Sequence, residues 1–347
     1  MRAYDACGQV RLLEKPLAIS DSQPRNPSTL KGGSIRKLCL GAVAALVLAM
    51  VSAPGSARGQ SSDPLRRLMT VAYGYRATPN ITYLTANNFE AKLDVYQPVG
   101  VTAPNPTVMF IHGGGWTGGS KEANSLTNIM WMDMGWTVVN VEYRLARVSQ
   151  APAAVEDCLC ALRWMYRNAK QYNFDVNKIV VTGQSAGGHL ALTTGMIPAS
   201  TGLDRQCPGT EQLKVAAIVD WYGIADVNDL LDGTNMKPYA VTWLGAMANR
   251  ADVAKRISPL TYVRPGLPPI LLIQGDADPT VPYAHSVRLH EALDKAGVAN
   301  ELVTVPGGKH GNFTVDENLK NYTAIRAFLT KHKLLGETGK TSTSASQ

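Results

Sequence analysis

Short runs in which almost every position is apolar recur along the chain, with longer stretches of helical spacing between them. Runs at 107–111, 137–143, 178–182, 215–221, 270–274 and 301–305 predict buried strands, and an earlier strand at 93–96 has a candidate partner at 81–84. Apolar residues at Ala154, Cys158, Ala161, Leu162 and Met165 mark one face of a helix over 153–171. Further helices are predicted over 186–194, 283–296 and 315–331. Continuous apolar strands alternating with helices imply strands buried on both faces. The expected fold is therefore α/β, a mostly parallel sheet of about eight strands with helices on both sides. The segment 225–259 interrupts the alternation and is expected to form a small cap.

The first 59 residues do not share this pattern. Arg36 and Lys37 precede an uncharged apolar run, 38–51, which is followed by Pro54 and small residues up to Gly59. A positive start, a 14-residue apolar stretch and small residues at −3 and −1 predict an export signal, cut after Gly59 or after Ala57. The run is shorter than the ~20 residues a spanning helix needs. Residues 1–59 are thus read as a leader, 60–335 as one domain, and the Gly-, Ser- and Thr-rich 336–347 as a flexible tail. The mature chain is expected to be secreted or periplasmic, without stable insertion in a membrane.

Charge follows the same division. The formal charge is +7, but eight of the 34 basic residues and only three of the 27 acidic ones lie in the leader, so the remainder carries +2. No nucleic-acid partner is implied, because no basic face is left to bind one. Of the five cysteines, Cys158, Cys160 and Cys207 lie beyond the leader. Cys158 and Cys160 stand two apart on a helix and diverge, so Cys207 can bridge to only one of them. No Cys or His spacing suits a metal.

The candidate chemistry sits where predicted strands end. Gly183-Gln184-Ser185-Ala186-Gly187 joins a strand to a helix. Small residues on either side let the chain turn sharply enough to lift the Ser185 hydroxyl above the sheet. The Ala186 amide and the helix start then face any negative oxygen formed beside it. Without that context the pattern would equally describe a tight turn with a capping Ser. His112-Gly113-Gly114-Gly115-Trp116 also follows a strand, and consecutive glycines allow amides to point into a cavity. Gly114 and Gly115 are the candidate oxyanion donors there, His112 is expected to pin the loop, and Trp116 to form a pocket wall. Asp276 and Asp278, after the 270–274 strand, are alternative carboxylates for orienting an imidazole, the other being a turn former. Of the six histidines only His310 lies on a glycine-flanked loop beyond a strand, whereas His189, one turn past Ser185, is expected in the core.

Taken together, HGGGW at 112–116, VEYRLA at 141–146, GQSAGGHLAL at 183–192, GDADPTVP at 275–282 and GGKHGNF at 307–313 carry a family resemblance. Over about residues 91–329 the chain resembles α/β-hydrolase esterases of the hormone-sensitive-lipase-like and feruloyl/acetyl-xylan esterase kind. The resemblance implies an α/β-hydrolase fold, Ser185 as nucleophile, His310 as base, and Gly114, Gly115 and Ala186 as oxyanion donors. It selects Asp278 over Asp276, since the family's acid stands third after the strand-end glycine. It implies no metal and no organic cofactor. Two departures stand out: Arg147-Val148 replace the family's frequent Pro-Glu after YRLA, and little room precedes the first strand for lid helices.

The implied activity is hydrolysis of carboxylic esters through an acyl-enzyme. Short-chain or aromatic esters are expected, among them acetyl or feruloyl esters of plant polysaccharide, so the partner is a small-molecule or polysaccharide ester. Trp116, Trp221, Tyr222 and Trp243 are expected to touch it. A general small-ester carboxylesterase or lipase is the nearest alternative. A peptidase of prolyl-oligopeptidase type would normally carry a large extra domain, for which the 288 residues after the leader leave no space.

Overall fold

The computed structural model describes residues 64–336 except Asn124. The expected leader, and the expected tail apart from Gly336, lie outside the described residues. Strands β1 (Tyr75–Ala86), β2 (Phe89–Pro98), β3 (Asn105–Ile111), β4 (Thr137–Val141), β5 (Phe174–Gln184), β6 (Ala217–Trp221), β7 (Ile270–Gly275) and β8 (Asn300–Val305) form one sheet. Its order is β1-β2-β4-β3-β5-β6-β7-β8. Pairing is antiparallel at β1–β2 and β2–β4 and parallel from β4 across to β8.

Alternation along the central strands explains why they read as unbroken apolar runs. In β3, Met109 and Ile111 face one core while Val108 and Phe110 face the other, and β7 divides Ile270 and Leu272 from Leu271 and Ile273 in the same way. The first face is covered by α3 (Ala153–Arg167), α5 (Ala186–Met196) and α8 (Ala284–Lys295); the second by α2 (Ile129–Asp133) and α9 (Val315–Lys331). Between α3 and β5 runs the single turn α4 (Ala169–Tyr172), so the helix expected over 153–171 breaks at Asn168. A short helix α1 (Pro64–Gly74) precedes β1 and buries only Val71.

Residues 225–259 do not form a separate cap. They run as a strap containing α6 (Pro238–Leu244) and α7 (Arg250–Arg256), and Leu230, Ala240, Trp243, Leu244 and Ala254 are buried in the same core as the sheet. Cys160 forms the disulfide with Cys207, with Cα atoms 5.6 Å apart. Cys158 points into the core as a free thiol whose pKa is raised by burial, and then by the nearby Asp157 charge.

Candidate active site

The chain leaves β3 for β4 on one side and returns to β5 on the other, so the carboxyl ends of β3 and β5 frame a crevice where strand order reverses. Register then dictates which residues meet. Ile111 pairs with Gly183, which brings His112-Gly113 beside Gln184-Ser185 although they lie 72 positions apart in sequence. Gln184 pairs with Trp221, and Gly275 with Val305, so the loops after β6, β7 and β8 open on the same edge.

At the elbow Ser185 has φ +57° and ψ −119°, a conformation that costs a non-glycine residue about 1–3 kcal/mol. Surrounding packing holds it there. A Cβ on Gly187 would lie 2.1 Å from the Ile111 carbonyl oxygen, and one on Gly183 would lie 2.3 Å from the Gly187 carbonyl oxygen. Only bare backbone fits between the elbow and the end of β3. The Ser185 amide donates to the Trp221 carbonyl at 2.9 Å, tying the turn to β6.

His310 Nε2 lies 2.8 Å from Ser185 Oγ, and its Nδ1 lies 2.7 Å from Asp278 Oδ2. Asp278 Oδ1 accepts the amides of Thr280 and Val281 at 2.8 and 3.0 Å. Burial works against the Asp278 charge. The His310 hydrogen bond and charge, with the two amides, outweigh burial and hold the carboxyl below its usual range. Asp276 instead accepts the Gly307 amide at 2.6 Å, joining the β7 and β8 loops. The structure thus brings Asp278, not Asp276, to the imidazole.

The glycine loop is oriented by three of its own carbonyls. His112 Nδ1 donates to the Gly113 carbonyl at 2.7 Å, and Tyr143 Oη donates to the His112 carbonyl at 3.1 Å. The Gly114 carbonyl accepts the amides of Thr117 and Gly118 at 3.1 and 3.0 Å. In a trans peptide the carbonyl and the following N–H point in opposite directions. Holding Gly113 O toward the His112 ring therefore turns the Gly114 N–H away from it, and Gly114 O orients the Gly115 N–H likewise. Both glycines line one cleft of about 430 Å³ with Ser185, Tyr222, Tyr239 and His310. Ala186 is buried immediately behind Ser185 at the first position of α5, where helix amides have no partner within the helix.

The substrate-contact residues expected from sequence need correction. Tyr222 lines the cleft, its ring edge-on to His310 at 4.8 Å between centroids. Trp116 and Trp243 do not. Both are 0% exposed and stack on each other 4.0 Å apart, with His189 edge-on to Trp116 at 5.0 Å. Trp221 is buried in the opposite core and contributes its carbonyl rather than its ring. Each indole satisfies its large apolar surface inside the protein, which leaves none for a ligand. His189 lies in the core as expected, donating from Nε2 to the Ile257 carbonyl at 2.7 Å, with burial lowering its pKa to about 4. From sequence Tyr239 is one of the aromatic residues of the 225–259 segment expected to help shape the substrate site, but it is not singled out as a contact. It lines the cleft and donates to the Thr280 carbonyl at 3.1 Å.

A sequence profile of the BD-FAE family matches residues 93–293. The chain belongs to the BD-FAE family. Among relatives, this BD-FAE protein is 31% identical to esterase LipQ of Mycobacterium tuberculosis over 216 residues, covering 59% of its own length and 50% of the relative's. The chain spans about half the length of such curated relatives. Its α/β-hydrolase fold matches that of a thermophilic esterase from Thermogutta terrifontis solved with propionate bound. That pair has a TM-score of 0.64 at 28% identity, covering 77% of this chain and 97% of the other. A truncated carbohydrate esterase from gut microbiota matches with a TM-score of 0.63 at 26% identity, covering 74% and 96%.

Proposed function

We propose that this BD-FAE protein is an exported serine esterase acting on soluble carboxylic esters with short or flat acyl groups, acetyl and feruloyl esters of plant polysaccharide among them. One observation carries the reading: an unbroken hydrogen-bonded chain from Asp278 through His310 to Ser185, lying beside the Gly113–Gly115 loop. His310 takes the Ser185 proton as Oγ attacks the ester carbonyl, and Asp278 keeps Nδ1 protonated and stabilises the imidazolium. The amides of Gly114, Gly115 and Ala186 receive the oxyanion. His310 then returns the proton to the leaving alcohol, and water repeats the sequence on the acyl-enzyme.

The small, solvent-open cleft and the propionate carried by the Thermogutta terrifontis esterase support short acyl groups. The carbohydrate esterase neighbour supports sugar esters. Export rests on the leader sequence alone. The test is Ser185→Ala, expected to fold normally, to lose about 10⁴-fold or more in turnover of nitrophenyl acetate and acetylated xylan, and to lose stoichiometric fluorophosphonate labelling. Labelling that persists on another serine overturns the assignment. Amino-terminal sequencing of protein recovered outside the cytoplasm should begin at Gln60 or Arg58; retention of residues 38–51 overturns cleavage.

A further inference from the structure

A proton handed from His310 to the leaving oxygen places the alcohol on the His310 side of the cleft, where Tyr222 packs against the imidazole. The acyl chain lies on the other side of the reacting carbon from the leaving alcohol, and Gly115 and Tyr239 line the same cleft. A Cβ on Gly115 would lie 2.9 Å from Tyr239 Cβ, so loop and side chain are in direct contact. Trp116 lies behind the Tyr239 ring at 5.9 Å between centroids and is itself stacked on Trp243. The ring therefore stands between the cleft and a buried aromatic wall.

It is also held in place. Its hydroxyl donates to the Thr280 carbonyl at 3.1 Å, and Lys237 Nζ, two residues earlier, donates to the Pro279 carbonyl at 2.9 Å. The strap is thus anchored to the same loop that carries Asp278.

We propose that Tyr239 is the specificity-determining stop that limits acyl length, a reading that rests on the ester hydrolysis proposed above. Its ring closes off the Trp116–Trp243 surface, which would otherwise form the floor of a deeper acyl pocket. Substrates with longer chains leave their distal methylenes in water and gain nothing from them.

The experiment measures kcat/KM for nitrophenyl esters from acetate to decanoate, and for alkyl acetates of matching lengths, on the full chain and three variants. Tyr239→Ala should raise the octanoate-to-butanoate ratio about tenfold, the effect of covering roughly two methylenes, and leave the alkyl series unchanged. Tyr239→Phe should keep the parent ratio, because the ring and not the hydroxyl is the stop. Tyr239→Trp should lower butanoate relative to acetate. A Tyr239→Ala protein that labels with fluorophosphonate and keeps the parent ratio overturns the proposal, as does a shift confined to the alkyl series. If that variant fails to fold, an unchanged butanoate-to-acetate ratio in Tyr239→Trp overturns it instead. A parent protein that hydrolyses none of the esters overturns the esterase reading, a result distinct from an unchanged ratio in an active variant.

Discussion

Asp220, one residue before the end of β6, pairs with Gly183 beside the Ser185 elbow, and its titration makes a measurable stability prediction. The residue is 1% exposed, and its Oδ1 has no hydrogen-bond partner among the described residues. A Cβ on either Gly188 or Gly223 would come within 2.2 Å of that oxygen, so the carboxyl is wedged between the first turn of α5 and the turn after β6. Burial pushes its pKa from 3.8 up to about 8, opposed only by the Gly223 amide. The folded-state value is therefore raised above the unfolded one. Between those values the native protein holds a proton that the unfolded chain has released, so stability falls as pH rises through the window. The slope is about 1.4 kcal/mol per pH unit, or on the order of 3 kcal/mol between pH 5 and 7. Asn has the shape of the protonated acid and does not titrate. The unfolding free energy of Asp220→Asn minus that of the parent should rise by on the order of 3 kcal/mol from pH 5 to pH 7. Any pH-independent effect of the amide is a constant offset. His189 and His285, each lowered to about 4 chiefly by burial, are present in both proteins and cancel in the difference. Urea unfolding followed by tryptophan fluorescence at pH 5, 6 and 7 measures it. Parallel stability curves for the two proteins would refute the reasoning.

Two further substitutions probe the site. Asp278→Asn should lower kcat by about 10³- to 10⁴-fold at neutral pH, because the imidazole loses the partner that fixes its tautomer, while Asp276→Asn should cost no more than about 1 kcal/mol of stability, since its amide oxygen can still accept the Gly307 amide without the charge that strengthens that bond, and leave kcat within about tenfold. Reversed effects in steady-state kinetics would contradict the geometry. Gly187→Ala should destabilise the fold by about 3 kcal/mol or more, since the added Cβ meets the Ile111 and His112 carbonyl oxygens at 2.1 and 2.6 Å and neither is a movable side chain. A melting temperature within about 2 °C of the parent would refute that claim.

The central strands were legible because each is buried on both faces, which leaves an unbroken apolar signature that needs no knowledge of neighbours. Ser185 and His310 were legible for a related reason. The turns that present them require residues without side chains, so glycine marks the positions locally. Exposed edge elements leave no such mark. β1 covers 12 residues where only 81–84 was expected, because none of its residues is buried, half are exposed, and its register shifts at Thr78/Ile81 and Thr82/Leu84. The helix α1 escaped notice for the same cause. Asp276 and Asp278 share one loop and one chemistry, and only the direction of the chain after β7 decides which carboxylate meets His310. Cys158 and Cys160 likewise differ only in the face of α3 on which each falls. Trp116 follows the glycine loop in sequence and Trp243 lies in the segment expected to cap the site, yet the tertiary fold stacks them on each other and leaves Tyr239 at the cleft. Local backbone demands and two-sided burial are written residue by residue along the chain. The partner an aromatic ring or a carboxylate finds depends on which distant segment the sheet register delivers beside it.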